Sequence, residues 1–154
     1  MSDAPVTWPR SITAVTLGVE DVGRSLAFYR ALGWAADEVH DEVAFVHLAG
    51  QVLCLFARAG LAADTGRDDL VPGSGSVALA RNVETADDVD RAYAAALAAG
   101  ALGATPPRPT DWGGRSCYVA DPDGHLWELA WNPFWLIGPD GVFAGDAPAA
   151  DPAP

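Results

Sequence analysis

The stretch ITAVTLGVEDVGRSLAFYRALG, residues 12–33, sets out a strand, a cap and a helix in succession. Val15, Leu17 and Val19 alternate with Ala14, Thr16 and Gly18, so a strand over Ile12 to Glu20 has one bulky face and one small face. Asp21 is a helix-capping residue, and Val22, Leu26, Tyr29 and Leu32 recur behind it at helical spacing. Gly33 suits the end of that helix. A short strand is expected near Trp34 to Val39. Val43 to Leu48 and Gln51 to Phe56 read as two more, joined by Ala49-Gly50. The order is β-α-β-β-β.

The same order returns further on. Arg58 to Gly75 is rich in Gly, Asp, Pro and Ser and reads as a linker with one helical turn. Ser76 to Asn82 is the next strand. Thr85 caps a helix with Asp87 and Asp88 in its first turn, and Val89, Tyr93, Ala96 and Leu97 form its stripe. Ala101 to Pro109 carries three prolines and is expected to be no more than a short edge strand. Arg115 to Ala120 and His125 to Trp131 complete the set. The period is about 62 residues, with Val15-Thr16-Leu17 matching Val77-Ala78-Leu79 and Leu53-Cys54-Leu55 matching Trp127-Glu128-Leu129.

The expected fold class is therefore α+β, in one domain over residues 1–144. Two βαβββ modules, about 11–58 and 76–135, flank a linker over 59–75. Their curved mixed sheets pair around a cavity, with the helices outside. Residues 145–154, built of Gly, Asp, Ala and Pro, are expected to form a disordered tail.

Asp121-Pro122-Asp123-Gly124 fixes which side chains point inward. Pro and Gly sit where a three-residue loop with a glycine bulge needs them, and this pairs Asp121 with His125. Ser116 then lies opposite Ala130, Tyr118 opposite Glu128, and Ala120 opposite Leu126. Opposed residues share a face, so Glu128 and Tyr118 belong to the small-residue face. Cys117, Val119, Trp127, Leu129 and Trp131 belong to the bulky one.

The net charge is −12, from 21 acidic residues against nine basic ones, all arginine. That balance argues against nucleic acid and against anionic membranes, and it suits a cationic ligand. Two cysteines with no C-x-x-C pair make neither a disulfide framework nor a structural zinc site. The N-terminus has no apolar signal core and no stretch is long and apolar enough to span a bilayer, so a cytoplasmic protein is expected.

Residues 15–33, the stretch DPDGHLWEL at 121–129 and the repeat itself resemble the vicinal oxygen chelate, or glyoxalase-like, superfamily. That superfamily includes glyoxalase I, extradiol dioxygenases, fosfomycin-resistance thiol transferases and bleomycin-resistance proteins. Trp112-Gly113-Gly114 and Trp131-Asn132-Pro133 look like a glyoxalase-like branch separate from these enzymes. The resemblance implies a homodimer. It also implies metal ligands at inward positions of the first and last strands, which residue matching puts at Ala14, Cys54, Ser76 and Glu128. Only Glu128 is an ordinary ligand of hard divalent metals, so no cofactor is expected, with a divalent metal as the alternative.

Small inward residues (Ala14, Thr16, Ser76, Ala78) leave volume for a ligand. Cys54, Trp112, Arg115, Ser116, Tyr118 and Glu128 are the further candidate contacts, with Trp112 and Tyr118 as flat walls and Glu128 as the polar anchor. The expected function is metal-independent binding of a small, partly apolar molecule, for resistance or sequestration, as in the bleomycin-resistance proteins. The alternative is a lyase or isomerase with Glu128 as general base, its pKa raised by burial, and Tyr118 or Ser116 stabilising an enolate. The missing ligands argue against dioxygenase chemistry.

Overall fold

The computed structural model describes residues 8–148. Strand β1 (Ala14–Val19) leads into helix α1 (Val22–Ala31), then β2 (Glu38–Val39), β3 (Val43–Leu48) and β4 (Gln51–Ala57). These strands form a sheet in the order β1-β4-β3-β2, with β1 parallel to β4 and the other pairs antiparallel. Helix α2 (Arg58–Thr65) follows directly. The second module repeats the first: β5 (Ala78–Asn82), α3 (Ala86–Ala98), β6 (Leu102–Pro109), β7 (Arg115–Ala120) and β8 (Leu126–Trp131). Its sheet order is β5-β8-β7-β6, again with only the first pair parallel. A separate hairpin of β9 (Trp135–Ile137) and β10 (Phe143–Asp146) follows. The α+β architecture and the internal repeat are those expected from the sequence.

Local chemistry explains the helices. The Asp21 side chain accepts from the Arg24 backbone N–H at 2.7 Å and satisfies one of the orphan donors at the start of α1. Thr85 and Asp88 make a reciprocal capping box on α3. The bulky strand faces and these two helices share one core that runs through both modules, from Leu17, Leu53 and Tyr29 to Val89, Val119 and Trp127. Each such fully buried side chain contributes about 1.5–3 kcal/mol. Leu97 of the expected α3 stripe is the exception and stays 41% exposed.

Six local expectations are corrected. The strand near Trp34 is only Glu38–Val39, because Trp34 turns into the core and stacks on Tyr29 at 5.9 Å between ring centroids. The linker holds an eight-residue helix, α2, more than a single turn. Strand β5 begins at Ala78, and Ser76 lies in the preceding turn. Val15 pairs with Leu53 and Leu79 with Trp127, so the counterpart of Val15 is Leu79, two residues beyond the expected Val77. Strand β6 runs for eight residues despite its prolines, since it is an edge strand and its register shifts between Gly103 and Thr105 and again before Arg108. Finally, Gly145 and Asp146 pair with Leu136 and Trp135, so the expected tail boundary falls inside β10; residues 149–154 lie outside the described residues.

A buried polar network locks module one to module two. The Tyr29 hydroxyl donates to the Asp121 carboxylate at 2.7 Å and accepts from the Trp127 indole N–H at 3.1 Å. Asp121 also accepts from the backbone N–H groups of Asp123 and His125. Asp123 accepts from the Glu20 backbone and from the Arg24 guanidinium. Tyr29 of α1 and the turn Asp121-Pro122-Asp123-Gly124 thus belong to one interaction.

Candidate functional site

The turn closes as the spacing required, with the Asp121 N–H donating to the His125 carbonyl at 3.0 Å. Tyr118 pairs with Glu128, Ser116 with Ala130, and Ala120 with Leu126. These residues form the sheet face turned away from α3. The same pairing rule continues across neighbouring strands: Ala80 flanks Glu128, and Thr105 flanks Tyr118. The next row holds Asn82, Ala130, Ser116 and Arg108. In module one the corresponding row is Thr16, Cys54 and Phe45. Cys54 therefore occupies the place of Glu128, and Ala80, not Ala78, occupies the place of Thr16.

The open face of module two is deepest at one end. Ser116 and Ala130 are buried, while Tyr118 and Glu128 are half-buried. Burial raises the Tyr118 phenol above its usual range, and the neighbouring Glu128 raises it further; the nearby Arg108 works the other way. Tyr118 thus stays a neutral donor at physiological pH. Arg108 makes no ion pair among the described residues. Sequence reasoning missed both Arg108 and Asn82. The only signal for Arg108 was its place in an edge strand whose bulges hide the register.

Other candidates lie elsewhere. Arg115 alternates to the helix side, where Asp90 of α3 holds it by two hydrogen bonds of 2.7 Å, so it is removed from the site. Trp112 stays exposed, and its ring packs across Gly114: a Cβ there would stand 1.9 Å from the ring. Ala14 and Ala78 are exposed strand starts on the open faces. Ser76 is an exposed turn residue.

The residues do not fit a divalent metal. The four implied positions hold Ala14, Cys54, Ser76 and Glu128, and register puts Ala78 where Ser76 was expected. Burial raises the Cys54 thiol, which disfavours the thiolate a metal needs. Among the described residues no three His, Cys, Asp or Glu side chains gather at one point.

A concavity of about 1220 Å³ opens between the modules. Val15, Val46, Leu53, Leu79, Trp34 and Trp127 make its apolar floor; Asp37, Arg81, Glu84 and the 138–142 loop stand at its rim. None of the site residues read from the sequence lines it. No helix among the described residues is long and apolar enough to cross a membrane.

A sequence model of the glyoxalase/bleomycin resistance protein/dioxygenase superfamily matches residues 11–129. A glyoxalase-related enzyme from Fulvimarina pelagi has a similar structure, with a TM-score of 0.84 and 36% identity over 90% of this chain and 100% of that one. A glyoxalase/bleomycin resistance protein/dioxygenase from Nocardioides gives 0.70 and 26%, over 82% and 85% of the two chains. Lactoylglutathione lyase from Agrobacterium tumefaciens, at 0.66 and 22% over 82% and 97%, shares the fold. No curated protein matches the sequence. The chain, with its doubled βαβββ module and matching sequence, belongs to the glyoxalase/bleomycin resistance protein/dioxygenase superfamily.

Proposed function

We propose that the protein binds a small, partly apolar molecule on the open face of module two, without a metal. The observation that carries this reading is the Tyr118–Glu128 pair, one neutral donor and one carboxylate on a face otherwise lined by Ala80, Ala130, Ser116 and Thr105. A mostly apolar wall with a few fixed polar groups is the usual composition of a small-molecule site. The overall charge favours a cationic ligand, but Arg108 places a positive group beside Tyr118. A neutral compound with an aromatic or aliphatic body and one polar end meets both charges best.

A lyase or isomerase reading keeps one specific support: Tyr118 stands opposite Glu128 across β7 and β8, and both are partly open to solvent. In that reading Glu128 takes the proton and Tyr118 stabilises the developing oxyanion. A thermal-shift screen of small aromatic and aliphatic compounds separates the two readings. Saturable stabilisation without product, lost in Tyr118→Ala, is the expected result. Turnover that disappears in Glu128→Gln would replace sequestration by catalysis. A screen with no saturable hit would remove both.

A further inference from the structure

The open face of module two changes polarity along its strands. One row across β5, β8, β7 and β6 is apolar and holds Ala78, Leu126, Ala120 and Leu102. The next row carries Glu128 and Tyr118 between Ala80 and Thr105. The row after that runs from Asn82 to Arg108. Leu102 is 64% exposed, so the apolar row stays open at its β6 end. The face thus passes from aliphatic to anionic to cationic within about 13 Å, two steps of two residues along a strand.

Two charges on this face lack counterions. Neither Glu128 nor Arg108 makes an ion pair among the described residues. Arg108 is exposed and Glu128 is half-buried, so both reach solvent. They stand two strands and one row apart, about 12 Å between Cα atoms, with Tyr118 and Ser116 of β7 between them. Both charges act on the Tyr118 phenol, with opposite sign. A singly charged ligand is attracted by one of these groups and repelled by the other. A cation at Glu128 has Arg108 beside it, and an anion at Arg108 has Glu128. A ligand bearing both charges is favoured twice.

We propose that the ligand class of this face is the aliphatic α-amino acid, held as its zwitterion; the inference rests on the open face being the binding site. The ammonium group donates to Glu128. The carboxylate accepts from the Arg108 guanidinium, with the Tyr118 hydroxyl as a further donor. The side chain runs back over Leu126 and Leu102. Side chain, ammonium and carboxylate follow one another in the ligand in the order in which the three rows present their partners. Such a compound is neutral overall and joins an aliphatic body to one polar end.

The probes are leucine, isoamylamine and isocaproate, which share one carbon chain and carry both charges, the cation alone and the anion alone. Backbone amide NMR signals locate and titrate each of them. Millimolar leucine should shift the signals of Ser116, Tyr118 and Glu128 saturably. Isoamylamine and isocaproate should each bind about three- to tenfold more weakly, the cost of one missing charged contact on a partly solvated face. Two variants separate the charges. Glu128→Gln should weaken leucine and tighten isocaproate, because the carboxylate that repels the anion is gone. Arg108→Gln should weaken leucine and tighten isoamylamine for the converse reason. A damaged fold would tighten neither analogue. Equal binding of the three probes, or variants that weaken all three alike, would overturn the proposal. So would the absence of any leucine shift. If neutral compounds still bind the open face in that case, only the ligand class is lost; if nothing binds there, the reading beneath it falls as well.

Discussion

Tyr29 and Asp121 show how much one contact between distant residues decides. Burial by itself would raise the Asp121 pKa, but hydrogen bonds from His125 and Tyr29 outweigh it and hold the carboxyl below the usual range. Burial, with Asp121 beside it, pushes the Tyr29 phenol far upward, so the hydroxyl remains a donor throughout the physiological range. A carboxyl depressed in the folded state stabilises the fold above its unfolded pKa of about 3.9, and that stability is lost as pH falls through the lower folded value. Tyr29→Phe removes a donor to the ionised carboxylate and an acceptor from Trp127. It should cost about 1.5–3 kcal/mol at neutral pH, and less in acid below the folded pKa of Asp121, where the charged acceptor is gone. Urea unfolding of both proteins at neutral and acid pH measures this; an equal cost at both would contradict it. Glu128 and Tyr118 were legible in the sequence because the Asp-Pro-Asp-Gly turn fixes the register and the register fixes the face. Arg115 was misread because it stands one residue outside that counting, where alternation sends it to Asp90. His125 reads as a turn residue and is one: its Nδ1 meets the Asp121 carboxylate four residues back, within the same turn.

Elements with a strong period were readable and elements held by tertiary contacts were not. Helices α1 and α3 announce themselves by Asp21 and Thr85 and by their apolar spacing. Strand β6 has no clean alternation, because two bulges and three prolines break it, and so Arg108 could not be placed on a face. Helix α2 lacks a side-chain cap and buries no residue fully; its place comes from packing Leu61 and Arg58 against Gly18 of β1. The linker beyond it is equally a tertiary object. Gly73 and Gly75 both have positive φ, +91° and +58°, but only Gly73 has a close neighbour. Gly75→Ala should cost about 1–2 kcal/mol for the left-handed backbone alone. Gly73→Ala adds the clash with the Gly124 carbonyl and should cost about 1–3 kcal/mol, the larger of the two. Denaturant melts of the two variants test the order, and a Gly75 variant less stable than the Gly73 variant would show that the linker is not pinned to the turn.

Across the whole molecule, the repeat suggests two units that fold alone, and the core says otherwise. Each module repeats the same strand order, and each sheet is hydrogen-bonded only within itself. Yet α1 of module one delivers Tyr29 to the turn of module two, and Trp34 of module one meets Trp127 of module two at 5.5 Å between ring centroids. The apolar core is continuous through both. A module cut from the other would expose Trp127 or Trp34 and strand the Asp121 carboxylate or the Tyr29 hydroxyl, each in a half-sized core too small to absorb the loss. The molecule should therefore unfold in one cooperative transition, with far-UV circular dichroism and tryptophan fluorescence coincident in urea. Chains 1–75 and 76–154 produced separately should each lack a cooperative transition, and mixing them should restore one, because the missing partner surfaces are supplied in full. If either half alone melts cooperatively at a midpoint near that of the intact chain, the contacts between α1 and the Asp121 turn are not what holds the molecule together.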